Sequence, residues 1–475
     1  MSAAYRCLLL GMLGCTAPGT VVGPTDDRLA VDWEAAGDEV AALLSAYLQV
    51  DTSNPPGREG EAAAFLAERL QAEGIASRLL AFAPGRANLV ARPEGSGEAR
   101  PLCLLSHMDV ATAEADAWTH PPFSGHIDDA GEIWGRGALD MKGLGALELL
   151  TLVWLKRLDL PLTRDVVLVA VGDEEVGNTG MAALIEDHWP EIDCSHVINE
   201  GGLGVEGGLV DGVTTFGVSF AEKGVLWARV VAEGEPGHGS TPLPDTAPAR
   251  LLGALERLRA FAPEPEVHPE LRRLLAAVGE RAGGVEGWVL QTLWATDLFA
   301  MGALLDNPLA AATITNTVQV TGFGGAAAPN VLPGEAWAQV DARLLPGTTP
   351  DAFLAELERV VDDPHVRFEV LQAEPAYASP TDDPLYRAIT GQLRAALPEA
   401  AVGPLLMMGS TDSSSLRALG VHAYGVAPFV LPVEQLRGMH GDDEHLSRDN
   451  LQRGLEILLR VVTETSVSPA SVPAP

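Results

Sequence analysis

The sequence predicts an α/β protein: a mostly parallel sheet covered by helices on both faces, interrupted by a smaller ferredoxin-like (β-α-β-β-α-β) domain. Three observations predict it. Apolar runs of strand length alternate with helical periods between residues 38 and 198. One run, 166–171, is continuously apolar and rich in β-branched residues, the mark of a strand buried on both faces. Past Gly212 the pattern becomes the alternation of half-exposed strands, and near residue 385 it returns to helix and buried strand. At 475 residues the chain also exceeds what one hydrophobic core usually supports. The boundaries read as 31–214 and 373–465 for the two parts of the larger domain and 215–372 for an inserted lid or dimerisation domain.

Residues 1–30 read as a leader and tether. Arg6 precedes a short apolar run over 7–13 that ends in Gly14-Cys15. The run is too short to span a bilayer and fits a secretory core. A small residue before cysteine resembles a lipoprotein cleavage site, although Met12 stands where leucine is usual. The expectation is export to the cell envelope with lipid at Cys15, the alternative a cytoplasmic chain. No other stretch suggests a transmembrane span.

Helical spacing follows over 38–48 and 59–73, separated by the DTSNPP turn at 51–56 and closed by Gly74. Strands are expected at 76–82, 88–92 and 101–106, a helix at 144–158, then strand 166–171, helix 181–189 and strand 194–198. In the inserted part the reading is strand 225–232, helix 246–261, strands 313–321 and 335–343, helix 350–361 and strand 366–371. The Pro/Glu-rich piece 262–270 and the helical tract after it read as an insertion within the small domain. Residues 385–397 and the segment to 462 rejoin the larger domain, and 466–475 is disordered by composition.

The formal charge of −34 excludes nucleic acid and anionic membrane as partners, since both require basic surface. An anionic small molecule would need a local positive feature. The four cysteines, Cys7, Cys15, Cys103 and Cys194, form no C-x-x-C pair, so a zinc knuckle is not expected. Cys103 lies in an apolar strand and reads as a small buried hydrophobe.

The chemistry gathers at strand ends. The 166–171 run breaks at Gly172 and delivers Asp173, Glu174 and Glu175 at its C-terminal end, the edge where open α/β sheets bind ligands. Three adjacent carboxylates there repel one another and lose hydration, and a divalent metal is the simplest compensation. A solvated acidic turn is the alternative. His107 and Asp109 stand two apart at another strand end and share a face, which lets Asp109 orient His107 as a ligand. Asp140 lies in the glycine-dense GRGALDMKG before the 144–158 helix, where helix capping is its plainer role. Glu200 sits in NEGG, otherwise a turn acid, and His440 in GMHG, otherwise a surface histidine. Jointly, His107, His440, Asp140, Glu175 and Glu200 make two nitrogen–oxygen sites bridged by a carboxylate. That set suits two Zn²⁺, with Co²⁺ or Mn²⁺ as substitutes. Glu174 is left without a ligand role and in position to take a proton from water.

The ordered set SHMDV, GRGALDMKG, GDEEVGNTG, NEGG, GHGSTP and MHGDDEHLS resembles the M20 family of zinc aminoacylases and carboxypeptidases, over about residues 40–462. WTHPPFSG, GSTDSSS at 409–415 and the HG-x-x-E form at His440 are similar to its carboxypeptidase S and N-acyl-amino-acid hydrolase branch. The resemblance implies His107, Asp140 and Glu200 on one metal side, Glu175 and His440 on the other, and Asp140 between. Which ion Glu175 and Glu200 each hold stays open. It further implies that Asp109 orients His107, that Glu174 is the general base, and that the Asp140–Met141 peptide is cis. His238, in GHGSTP, would reach across a homodimer to the scissile carbonyl oxygen. Arg343 and Asn330 would grip a substrate carboxylate, against an ion pair of Arg343 with Asp341 as the structural alternative; Gly409 and Ser410 would line the substrate site. The function so implied is hydrolysis of the amide bond of a dipeptide or N-acyl amino acid with a free carboxylate. A metal-dependent binding protein on the same fold is the rival, but it has no use for an unliganded Glu174. A serine hydrolase using Ser410 or Ser413 lacks the G-x-S-x-G elbow.

Overall fold

The apolar run 166–171 forms the strand Val166–Val171, buried along its whole length. In the computed structural model, which describes residues 29–468 apart from 293–300, 303 and 307, it lies inside a ten-stranded sheet. Its parallel neighbour is Leu102–His107, followed in parallel by His196–Asn199 and His422–Gly425. Ala401–Met407 runs parallel to Thr214–Glu222. The antiparallel pair Ser77–Ala83 and Arg86–Ala91 flanks the other side.

Alternate residues explain why these strands read as unbroken apolar runs. Leu102, Leu104, Val166, Leu168 and Ala170 enter one core, beneath helices Trp33–Leu48, Lys142–Arg157 and Arg448–Ser466. Cys103, Leu105, Val167, Val169 and Val171 enter a second core on the opposite face, with Met181 and Leu184 of helix Thr179–Asp187 and Leu416 of helix Ser413–Ala418. Both faces are dry, so period 2 vanishes from the sequence.

Between Glu222 and Glu374 the chain builds a separate antiparallel sheet in the order Thr317–Gly324, Glu335–Leu344, Gly224–Glu233 and Val366–Glu374. Helices Ala247–Ala260 and Pro350–Val361 cover one face, where Leu226, Ala228, Val230, Ala338, Val340 and Phe353 are buried. Thr246 and Thr349 cap these helices, each accepting the amide three residues on. Trp227, Asp341 and Arg343 lie on the other face.

Four expectations need correction. The strand expected at 313–321 begins at Thr317, because Pro308–Ile314 is helical. Lys223 Nζ explains how that helix stops: it donates to the carbonyls of Ala312 and Thr315 at 3.0 and 2.7 Å. The helical tract after residue 268 is not a private feature of the small domain. Helix Pro269–Ala282 packs Leu271, Leu274 and Val278 with Ala401 of the large sheet and with Val210 and Val213. Cys103 is buried, but as half of a disulfide with Cys194, which stands just before the neighbouring strand His196–Asn199, their Cα atoms 5.9 Å apart. Ser466 closes the last helix, and buried Val467 bridges to Leu162, so the ordered chain runs past the expected start of the tail. The remaining tail, 469–475, and nearly all of the expected leader, including Cys15, lie outside the described residues. Among those described, no helix is long and apolar enough to cross a membrane.

Candidate metal centre

The large sheet delivers its acids and imidazoles to one edge. His107 ends its strand, Glu174 and Glu175 follow Val171, and Glu200 follows Asn199, all at the C-terminal ends of parallel strands. Asp140 comes from the glycine-rich loop before helix Lys142–Arg157. It does not cap that helix, whose N-cap position is Met141 with no side-chain cap. Gly137 shows why this loop is glycine-dense: its φ is +91°, and a Cβ there would stand 2.6 Å from Val110. The Asp140–Met141 peptide is cis. His440 arrives on a loop near the C-terminus, with φ +57° and a ring more than half exposed, at 58%.

The carboxylate of Asp140 stands between the two imidazoles. Its Oδ1 is 3.1 Å from His107 Nε2, and its Oδ2 is 3.0 Å from His440 Nε2. Each ring has a further acid in reach: Glu200 Oε1 is 3.7 Å from His107 Nε2, and Glu175 Oε2 is 3.0 Å from His440 Nε2. His107, Asp140 and Glu175, and again His107, Glu174 and Glu200, each offer ligand atoms within 4.8 Å of one another.

Asp109 holds this arrangement in an unexpected way. The group that orients His107 is the main-chain carbonyl of Asp109, 2.9 Å from Nδ1, while its carboxylate is 3.7 Å from that nitrogen. The carboxylate accepts the backbone amides of Glu174 and Glu175 instead, both at 3.2 Å, and the side-chain amide of Asn54 at 2.8 Å. The acidic triplet is thereby split. Asp173 (φ +71°) turns away from the centre to accept from Arg86 and Asn54, each at 2.9 Å, and from Thr179 at 2.5 Å. Only Glu174 and Glu175 face the histidines.

A second clamp went unread in the sequence. Buried Glu444 accepts the amides of Gly137, Leu139 and Asp140 at 2.9, 2.7 and 3.0 Å and pairs with Arg136 at 2.7 Å. Arg136 also donates to the carbonyl of Gly441 at 2.6 Å, so one ion pair ties the Asp140 loop to the His440 loop. The HG-x-x-E spacing carried Glu444 but not its partners. Asp412, inside GSTDSSS, is likewise buried beside the centre, and its Oδ1 has no partner. Glu222 fixes that loop by accepting from Thr411 and Arg417, each at 2.8 Å.

Crowding shapes the charges. Burial pushes the Glu174 carboxyl up to about 8, reinforced by Asp412, Asp140 and Glu175 and only partly offset by His107. Burial raises Glu200 well above the carboxylate range, with Asp140 adding to it, and lifts Asp412 to about 7. Burial would also raise Asp140, but hydrogen bonds from His107 and His440 outweigh it and hold it well below its ordinary value. Those bonds, with Asp140 and Glu175, lift His440 to about 10. The cluster is a half-buried excess of acid around two imidazoles, and a divalent cation compensates such an excess.

A family model, peptidase family M20/M25/M40, matches residues 103–464. The chain belongs to this family. Among its relatives, aminoacylase-1 of Sus scrofa is 30% identical over 91% of this chain and 95% of its own length. A probable carboxypeptidase S-like 2 of Dictyostelium discoideum is 28% identical over 77% and 72% of the two chains. The crystal structure of the M20 family metallo-carboxypeptidase Sso-CP2 from Sulfolobus solfataricus shares the fold, with a TM-score of 0.69 at 21% identity, over 90% of this chain and 98% of that one. The M20 chain is therefore a hydrolase of a metallopeptidase family, and the family implies a metal.

The other predicted site residues of the M20 chain make contacts of their own. His238 is exposed, its Nδ1 2.7 Å from Ser240 Oγ. It stands beside Asn330, whose carbonyl accepts the amide of Gly239 at 2.8 Å. Among the described residues, none of the hydrogen bonds of His238 reaches the histidine–carboxylate cluster. Arg343 pairs with Asp341 through Nε and Nη2 at 2.8 and 3.1 Å, the ion pair read as its structural alternative. Gly409 and Ser410 are exposed and lead into the buried Thr411–Asp412 turn.

Proposed function

We propose that this protein is a di-zinc hydrolase that cleaves the amide bond of dipeptides or N-acyl amino acids carrying a free carboxylate, with Glu174 as general base. The observation that carries the reading is Asp140, whose two oxygens face His107 and His440 at 3.1 and 3.0 Å. Zinc bonds of about 2.0–2.2 Å in a tetrahedral shell put neighbouring donors ~3.3 Å apart. The measured separations, from 3.0 to 3.7 Å, fit two such shells sharing Asp140. His107, Asp140 and Glu200 would hold one ion; His440, Asp140 and Glu175 the other. Bound there, the ions would supply Lewis acidity to water and to the scissile carbonyl.

The remaining chemistry belongs to the chain. Glu174, half-buried and raised to about 8 without a cation, would ionise once positive charge fills the centre. It takes a proton from the attacking water as the new C–O bond forms. It returns that proton to the amine nitrogen as the C–N bond breaks, leaving carboxylic acid and amine products. The names carboxypeptidase and aminoacylase among the relatives support a substrate that keeps a carboxylate. Against the −34 charge of the chain, Arg343 and Asn330 would bind that group once Arg343 exchanges Asp341 for it. His238, exposed on the two-stranded ribbon of Gly237–His238 and Val331–Leu332, would serve the centre of a partner in a homodimer. The Cys103–Cys194 disulfide supports export, because such bonds persist in oxidising compartments.

A turnover screen of dipeptides and N-acyl amino acids on zinc-loaded protein tests the reading. Chelation should abolish activity and zinc restore it, and Glu174→Gln should lose ~10²–10⁴-fold while keeping its metal. Subunit exchange between inactive Glu174→Gln and inactive His238→Ala should restore turnover. A Glu174→Gln enzyme of near-native rate would end the assignment of the base, and a silent mixture with proven exchange would end the role of His238 in trans.

A further inference from the structure

The opposite edge of the large sheet carries another group of ligand-type side chains. His196 opens the strand His196–Asn199, His422 opens His422–Gly425, and the two residues are register partners on adjacent parallel strands. Asp383 caps helix Pro384–Ala396 directly above them. Its Oδ2 lies 3.2 Å from His196 Nε2 and 2.8 Å from His422 Nδ1, and the three ligand atoms fall within 4.8 Å of one another. These are strand beginnings, whereas the acids of the hydrolytic centre follow strand ends, so the two groups occupy opposite edges of one sheet.

Each side chain is already oriented. Asp383 Oδ1 is committed to the amide of Leu385 at 2.7 Å, which leaves Oδ2 to face the rings. His196 Nδ1 is 2.8 Å from Ser195 Oγ, and that hydroxyl has the Pro101 carbonyl as its own acceptor at 3.3 Å. A ring donating Nδ1–H to Ser195 presents the bare Nε2 to Asp383, the tautomer a metal requires. The 3.2 Å separation at His196 is close to the ~3.3 Å between donors sharing one zinc, and the 2.8 Å at His422 needs a small opening to reach it. A cleft of about 250 Å³, lined by Leu102, Arg164, His196, Leu385 and Glu464, opens beside His196. Arg164 acts on Asp383 and opposes a cation there, so this group should bind more weakly than the five-residue centre.

We propose that His196, Asp383 and His422 form a separate site for one divalent transition ion, of the two-histidine, one-carboxylate kind, fastening helix Pro384–Ala396 to the base of the sheet. None of the three has a part in the hydrolysis described above. Zn²⁺ is the probe, titrated by calorimetry into full-length metal-free protein carrying His107→Ala and Asp140→Ala, which removes the bridging acid and the imidazole common to both ligand groups of the main centre. That protein should still take up one equivalent of Zn²⁺, and Co²⁺ in its place should give the visible absorption of a four-coordinate ion. Adding Asp383→Asn, which keeps a good helix cap, or His422→Gln on its partly exposed ring, should weaken uptake at least about tenfold. Circular dichroism and the thermal midpoint without metal establish that each variant is folded. Failure of the starting protein to bind Zn²⁺, or uptake untouched by both added substitutions, overturns the proposal. The hydrolase reading stands or falls separately, on the turnover of the native chain.

Discussion

Asp109 accepts the backbone amide of Glu174 at 3.2 Å, so one residue fixes the first imidazole through its carbonyl and the segment of the proposed base through its carboxylate. Asn at this position keeps one acceptor oxygen and turns an NH₂ toward the other amide. Asp109→Asn should therefore lower kcat by ~10²-fold, the scale of a small misplacement of a reacting group. Its metal content should stay near native, because the carbonyl that holds His107 is untouched. Metal analysis beside kinetics checks this; metal lost in step with activity would mean that the carboxylate acts on His107.

Metal uptake should release protons. Without metal, His440 is raised to about 10 by Asp140 and Glu175, and His107 also stands well above its ordinary value, its hydrogen bond to Asp140 and the nearby glutamates outweighing its burial. Both rings are thus protonated at neutral pH, while a ligating imidazole is neutral. Affinity should rise with pH up to about 10, by roughly tenfold per unit for each proton displaced. Calorimetry in buffers of different ionisation heats counts the protons. An affinity flat between pH 6 and 9 would contradict the pairing.

Glu444→Ala should cost ~3–5 kcal/mol, since it leaves Arg136 charged and unpaired in the interior and strips the acceptor from three amides. Urea unfolding of the metal-free protein gives the number. Activity should fall as well, because the Asp140 and His440 loops lose their common tie.

Glu148→Gln should stabilise the protein, and more at pH 8 than at pH 5. Glu148 is fully buried on helix Lys142–Arg157, and burial pushes its carboxyl well above the usual range, only partly offset by the nearby Ser106 hydroxyl and Leu105 amide. The folded state keeps the proton that the unfolded chain releases near pH 4.5, so stability present below that pH is lost as pH rises toward the folded value. Glutamine has no proton to lose, and the gain at pH 8 should be about 1–3 kcal/mol. Equal gains at both pH values would show that ionisation is not the cause.

The sequence exposed some of this and hid the rest for identifiable reasons. His107, Glu175 and Glu200 were legible because each follows a buried apolar run, and Asp140 and His440 because glycines flank them where no core needs a charge. Nothing local told Asp173 from its two neighbours. Its departure depends on Arg86, 87 residues away in sequence. The i, i+2 spacing placed Asp109 beside His107, yet spacing cannot say whether carbonyl or carboxylate makes the contact. Cys103 and Cys194 stand 91 residues apart with no spacing code to link them. The tract after residue 268 displayed an apolar face, and a face alone does not name the sheet that receives it.

The order in which the chain supplies the centre has a consequence for synthesis. His107, Asp140, Glu175 and Glu200 all emerge early, and the Cys103–Cys194 bond spans most of that stretch. His440 and the Glu444 that clamps its loop emerge only after the chain has left to build a second sheet and come back. A nascent or prematurely ended chain holds four of the five groups and neither the second imidazole nor the tie that seats it. Under the proposed function, a chain that stops before His440 should therefore be inert.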